Sequence, residues 1–123
     1  MEGLNSISKS INGSKILILG VTYKPNIDDV RESPSLKIME KLLKFGAEVV
    51  YDDQYVDVDM LWHLKDVVRL RNLDSIDVFD CCIIATDHNY FDWDMIASNA
   101  RLIVDTRGVY STKGIFRNTI LNV

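Results

Sequence analysis

The fold is decided by the stretch "KILILGVTYKPNIDDVRESPSLKIMEKLLKFGAEVVYDD", residues 15–53. It opens on a continuous apolar run, Lys15–Leu19, that stops at Gly20, as a parallel strand buried on both faces should. A helix follows. Ser33 supplies a cap, Pro34 fits the first helical position, and Leu36, Met39, Leu42 and Leu43 recur at helical spacing. Gly46 closes that helix where a positive φ is needed, and "AEVVYDD", residues 47–53, reads as a second strand. Together these predict one βαβ unit.

Outward from that unit, residues 77–88 read as a strand with a polar exit. Residues 90–100 read as a short helix with Asp92 as its cap and Ile96 facing inward, and residues 101–110 as the last clear strand. Between Gln54 and Leu73 a helical turn mixes with a short strand near Val67–Leu70, and the tail after Tyr110 has no strong period. The alternation predicts an α/β fold: a Rossmann-like doubly wound sheet, mostly parallel, in three layers. The domain is expected over residues 15–123, with residues 1–14 as the flexible end of a linking segment. Ligands of such sheets gather at the carboxyl ends of the strands. The places to inspect are therefore Gly20–Arg31, Asp52–Asp53, Thr86–His88 and Asp105–Arg107.

Bulk composition narrows the classes of function. The chain has 123 residues, 47% hydrophobic and 26% charged, which suits one globular domain. A net charge of −4 argues against a nucleic-acid surface. No apolar run approaches the roughly 20 residues that cross a bilayer, and the polar start lacks the core of a signal peptide, so no membrane partner and a cytoplasmic location are expected. Cys81 and Cys82 are neighbours in a strand, which sends their thiols to opposite faces and reads as two buried structural residues. His63 and His88 are too few and too scattered for a metal centre, and Trp62 and Trp93 read as core anchors. No catalytic set is visible.

The first turn is unusual for its fold. A dinucleotide turn needs glycines where backbone approaches the pyrophosphate, but Val21 and Thr22 follow Gly20 here. Asp52 and Asp53 stand where a ribose-binding acid would sit, yet too far along the chain, and read as solvated strand-end charges. Cations are present instead: Lys24 and Arg31 at one strand end and Arg107 at another. Three such groups converging would suit a pyrophosphate, Arg as a planar fork and Lys as a point charge. Pro25 would stiffen the turn, and Asp28, Asp29 and Glu32 would orient or pair the cations. The competing reading is a surface loop of mixed charges. A phospho-receiver is disfavoured, because Gly-Val-Thr stands where its acidic pair would be.

The stretch "ILGVTYKPNIDDVRESPSLKIMEKLLKFGAEVVYDD", followed by "ATDHNYFDWDMI" and "LIVDTRGVY", resembles the C-terminal, UDP-binding domain of the UDP-glucose/GDP-mannose dehydrogenase family. The "DTRGVY" and "TDH" variants look most like the branch that oxidises UDP-N-acetylhexosamines. The resemblance implies an enzyme of three parts: an NAD-binding domain, a central dimerisation domain and this one, working as a homo-oligomer. Such enzymes oxidise a sugar C6 alcohol to a carboxylate with two NAD, through a covalent intermediate on a cysteine, and make precursors of polysaccharides. It implies that Tyr23, Lys24 and Arg107 contact the UDP-sugar and that Arg31 reaches toward NAD held by another domain. The glycine-rich NAD turn and the Gly-Gly-x-Cys nucleophile motif are absent from this chain, so a fragment inactive alone is expected. The rival expectation is a non-catalytic nucleotide-binding or assembly module of the same fold.

Overall fold

The computed structural model describes residues 11–31 and 33–123. Six strands make one sheet: β1 (Lys15–Leu19), β2 (Glu48–Asp52), β3 (Val68–Arg69), β4 (Cys81–Ile84), β5 (Ile103–Asp105) and β6 (Ile120–Asn122). Their order is β3-β2-β1-β4-β5-β6, and every neighbouring pair is parallel. Among the described residues three helices join them: α1 (Pro34–Lys44), α2 (Trp93–Asn99) and α3 (Val109–Lys113), with 3-10 turns at Val58–Leu61 and Ile76–Val78. This is the strand order of the dinucleotide-binding fold, with its topological switch point between β1 and β4.

The apolar runs have a direct reason. Ile16 and Ile18 of β1 pack on one face with Met39 and Leu42 of α1. Leu17 and Leu19 pack on the other with Ile96 of α2 and with Val109 and Tyr110 of α3. Both faces are covered from Ile16 to Leu19, so none of those positions can be polar, and each side chain contributes about 1.5–3 kcal/mol by leaving water. In β4, Cys81 and Ile83 join the first core while Cys82 and Ile84 join the second. The thiols are therefore unpaired and buried on opposite faces, as the alternation predicts.

Local signals also behave as read. Ser33 Oγ accepts from Ser35 N–H at the start of α1, Pro34 is its first residue, and Gly46 beyond its end has φ +88°. Asp92 caps α2 by accepting from Met95 N–H at 3.1 Å. The differences lie in short elements. The strand expected over residues 77–88 shrinks to β4, and 77–78 belong to a 3-10 turn. The strand expected through Tyr110 stops at Asp105, and residues 109–110 open α3. The tail holds a sixth strand of three residues, of which Ile120 is buried, too short for a period to show. Trp62, expected in the core, is 84% exposed, because it follows a 3-10 turn whose inward position is taken by Leu61. The expected linking segment lies mostly outside the described residues. Its inner end is tied to the fold: Gly13 N–H donates to Gly46 O, and Ser14 O accepts from Glu48 N–H.

One close approach sets the geometry of the switch point. Gly20 has φ +89°, and a Cβ there would lie 2.4 Å from Thr86 Cβ and 2.5 Å from Thr86 O. The exits of β1 and β4 therefore touch through backbone, and Gly20 serves that contact. Gly20→Ala would add a positive-φ penalty to an overlap with backbone, together roughly 2–5 kcal/mol. Urea denaturation should show that loss, and an unchanged midpoint would mean the two exits do not meet.

Candidate functional site

Past Gly20 the chain leaves the sheet with Val21 and Thr22, whose amide hydrogens enter the crevice between the strand ends. Asp53 takes both: its Oδ2 accepts from Val21 N–H at 2.7 Å and from Thr22 N–H at 3.3 Å. Its Oδ1 accepts from Tyr55 N–H at 2.9 Å. Asp53 is fully buried. The expectation that Asp52 and Asp53 are solvated is thus overturned: Asp53 turns back under the loop, and Asp52 is buried where it accepts from the Tyr90 hydroxyl.

His88 completes that arrangement. Its Nε2 lies 2.8 Å from Asp53 Oδ2, and its Nδ1 accepts from Asn26 N–H at 2.8 Å. A backbone amide can only donate, so Nδ1 carries no proton and Nε2–H donates to the carboxylate. Asn26 holds φ +63°, and its Oδ1 accepts from Asn89 N–H. Thr86 Oγ1 donates to Thr22 O, and Thr22 Oγ1 donates to Lys24 O. Ser33 Oγ donates to Val21 O and Ser35 Oγ donates to Gly20 O. The turn from Gly20 to Asn26 is therefore bonded to β2, β4 and α1 at once.

A second buried carboxylate supports the other cation. Asp105 ends β5 and is fully buried; its Oδ1 accepts from Arg107 N–H at 3.0 Å and its Oδ2 from Tyr110 N–H at 2.9 Å. Arg107 then reaches back across the switch point. Its Nε donates to Ala85 O at 2.8 Å and its Nη2 to Tyr23 O at 3.4 Å. A cleft of about 450 Å³ is lined there by Tyr23, Lys24, Pro34, Ile38, Ala85, Thr106 and Arg107. A neighbouring hollow of about 420 Å³ shares Arg107 and includes Trp93 and Lys113. The Lys24 ammonium is 6.0 Å from the Tyr23 ring centroid.

Of the four residues singled out in the sequence, the structure brings Tyr23, Lys24 and Arg107 to one cleft. Arg31 does not line it. Its side chain is 87% exposed and forked onto Asp29, with Nε–Oδ1 and Nη2–Oδ2 both 3.1 Å. Those bonds hold the Asp29 carboxyl below its ordinary value. The convergence of three cations expected from strand ends is thus a convergence of two. Asp53, His88 and Asp105 were missed as supports. A signal existed, since each is a polar residue at or within four residues of the end of an apolar strand, but burial is not written in that pattern.

The first turn does not fit a dinucleotide. Its two leading amides are satisfied by Asp53, and the face of Gly20 is filled by Thr86. Among the described residues no group of three His, Cys, Asp or Glu is placed to hold a metal, and no helix is long and apolar enough to cross a membrane. The fold and site define a Rossmann-like domain with a cleft at its switch point lined by side-chain cations. The UDP binding domain of the UDP-glucose/GDP-mannose dehydrogenase family matches residues 17–112, and the chain belongs to that family.

Among its relatives, a UDP-glucose 6-dehydrogenase of Rhizobium meliloti is 36% identical over 81% of this chain and 24% of its own length. A UDP-N-acetyl-D-mannosamine dehydrogenase of Methanocaldococcus jannaschii is 32% identical over 89% of this chain and 26% of its own. The crystal structure of an NDP-N-acetyl-D-galactosaminuronic acid dehydrogenase from Methanosarcina mazei superposes with a TM-score of 0.73 at 25% identity, over 99% of this chain and 26% of that one. The chain spans about a quarter of the length of these relatives.

The two strand-end acids of β2 respond oppositely to pH. Burial raises the Asp52 carboxyl, against the bond it accepts from the Tyr90 hydroxyl at 3.0 Å. Burial also acts on Asp53, but the bonds from His88, Val21 and Tyr55 outweigh it and leave that carboxyl lowered. A lowered folded value stabilises above the unfolded value of about 3.9, and that stability is lost as pH falls through the folded one. A raised value does the reverse: its stability is present below about 3.9 and lost as pH rises through the folded one. Asp52→Asn, whose amide oxygen still accepts from Tyr90, should therefore raise stability at pH 7 and change little at pH 3. Urea midpoints at both pH values check this, and a loss at pH 7 would contradict it.

Proposed function

We propose that the chain is the substrate-binding part of an NAD-dependent nucleotide-sugar 6-dehydrogenase, holding the diphosphate and sugar of a UDP-sugar while another domain holds NAD. The observation that carries this is Arg107. Its guanidinium is anchored to the carbonyls of Ala85 and Tyr23 across the switch point and stands in the same cleft as Lys24. Anchoring before the ligand arrives reduces the entropy lost on binding, and a forked cation beside a point charge suits a pyrophosphate.

Tyr23, Lys24 and Arg107 are the substrate contacts in this reading. Arg31, exposed and braced by Asp29, reaches outward to NAD on the other domain. The branch acting on UDP-N-acetylhexosamines fits the "DTRGVY" and "TDH" motifs, and relatives of both sugar classes match. The parent enzyme is a homo-oligomer of the cytoplasm serving polysaccharide precursors. The chain alone does not turn over: its first turn rejects dinucleotides, and its thiols are poor nucleophiles. Burial pushes Cys81 up to about 12 and Cys82 higher still.

Amide NMR titration with UDP, UDP-N-acetylglucosamine and NAD tests the reading. Shifts are expected at residues 23–31 and 106–108 with the UDP ligands and not with NAD. Stronger binding of NAD, or shifts confined elsewhere, would overturn it. In the full-length enzyme, Lys24→Ala should lower kcat/KM by 10- to 1000-fold, since a charge-assisted contact contributes about 1.5–3 kcal/mol and more in a dry site. Arg107→Ala should act chiefly on KM, and wild-type kinetics in both variants would remove the assignment.

A further inference from the structure

We propose that His88 and Asp53 are positioning residues for the Tyr23–Lys24 turn, and that the turn keeps its shape only while His88 is neutral with its proton on Nε2. This rests on the reading of Tyr23 and Lys24 as substrate contacts. Both side chains are fully buried, and neither touches the cleft lined by Lys24 and Arg107. They act from beneath it.

Asp53 is fixed to the start of the turn through Val21 and Thr22, and His88 to its end through Asn26. The Nε2–H to Oδ2 bond closes the two into one clamp, with Tyr23 and Lys24 on the strap between. Asn26 is the weak point. It sits at φ +63°, which costs a non-glycine residue energy, and the bond from its N–H to Nδ1 is part of what holds it there. A second proton on His88 would put Nδ1–H against Asn26 N–H, two donors face to face. The strap would lose one of its two bonds at Asn26, leaving the Asn89 N–H to Asn26 Oδ1 bond and the Asp53 anchor to hold it alone.

The groups facing the ring are few. Asp53 comes from the end of β2, and Tyr55 from the loop after it, with ring centroids 4.9 Å apart. Tyr90 stacks at 5.7 Å and passes its hydroxyl to Asp52, and Phe91 lies 5.9 Å away. Asp53 is the anion in direct contact. Protonation at Nδ1 would act inside the turn that carries the substrate contacts, so binding by this site becomes sensitive to pH through a residue that never meets the ligand.

The test uses the whole chain and three readouts. Long-range nitrogen–proton NMR should show wild-type His88 protonated at Nε2 and bare at Nδ1 at neutral pH. Amide exchange of Asn26, expressed as protection relative to the intrinsic rate, should fall as His88 titrates. Affinity for UDP-N-acetylglucosamine, whose pyrophosphate diester has no proton to gain in that range, should weaken over the same pH interval. His88→Phe keeps the stacking and removes both nitrogens; it should abolish Asn26 protection and weaken the ligand tenfold or more, with β1 and β4 amides still protected. His88→Asn places an amide oxygen near the Nδ1 position and should restore part of both.

A wild-type ring carrying its proton on Nδ1, a His88→Phe chain with Asn26 still protected, or no recovery in His88→Asn would each overturn the proposal. Should His88→Phe fail to fold, the wild-type tautomer and its pH course decide. Should the wild-type chain bind no UDP ligand, the substrate reading fails, while tautomer and exchange still judge the clamp.

Discussion

Two backbone amides, those of Val21 and Thr22, shape this domain. They leave the first strand into a crevice where a buried donor without a partner costs about 1–3 kcal/mol. In a dinucleotide fold such amides can be given to a phosphate. Here the protein supplies its own anion, the carboxylate of Asp53. Once that carboxylate is inside it needs further donors, and Tyr55 N–H and His88 Nε2–H provide them. His88 in turn needs a donor for Nδ1, and Asn26 N–H answers. The turn's path from Gly20 to Asn26 follows from this chain of obligations, and the position of Lys24 follows from the path.

The same logic repeats on the other side of the switch point. Asp105 is buried beneath the turn that carries Arg107 and accepts two of its amides. Each cation thus rides on a short loop whose backbone is satisfied from within by a strand-end aspartate. The outward surface is left to side chains. Lys24 and Arg107 line one cleft although 83 residues separate them in sequence, because β1, β4 and β5 are adjacent and Arg107 reaches back over the exit of β4 to Ala85 O and Tyr23 O. The division of labour is physical: buried acids fix the backbone, and exposed bases line the cleft.

Much of this was legible beforehand. Lys15–Gly20, the Ser33–Pro34 start and Gly46 state strand, helix and turn in local terms that tertiary packing had no reason to overrule. The three-residue β6 and the two-residue β3 were obscure because elements that short carry no period. That Tyr23, Lys24 and Arg107 share one cleft was legible because they leave strand ends on the same edge of a parallel sheet. Asp53 and His88 were not, because an acid at a strand end looks the same whether it turns to solvent or under the loop. What decides is the demand of the Val21 and Thr22 amides. That demand becomes visible only once Gly20 is seen to hold Thr86 too close for any ligand to enter.

The sheet order also bears on how the domain is made. β1, α1 and β2 are consecutive and can assemble from local contacts. The pairing of β1 with β4 joins Ile16 to Cys81, across the whole middle of the chain. Such long closures form slowly. The cleft straddles that seam, so it does not exist in any species that has folded only its first half. A ligand gripping Lys24 and Arg107 together would fasten the seam from outside and favour the closed sheet by mass action. Occupancy and completion of folding are, for this domain, two measures of the same joint.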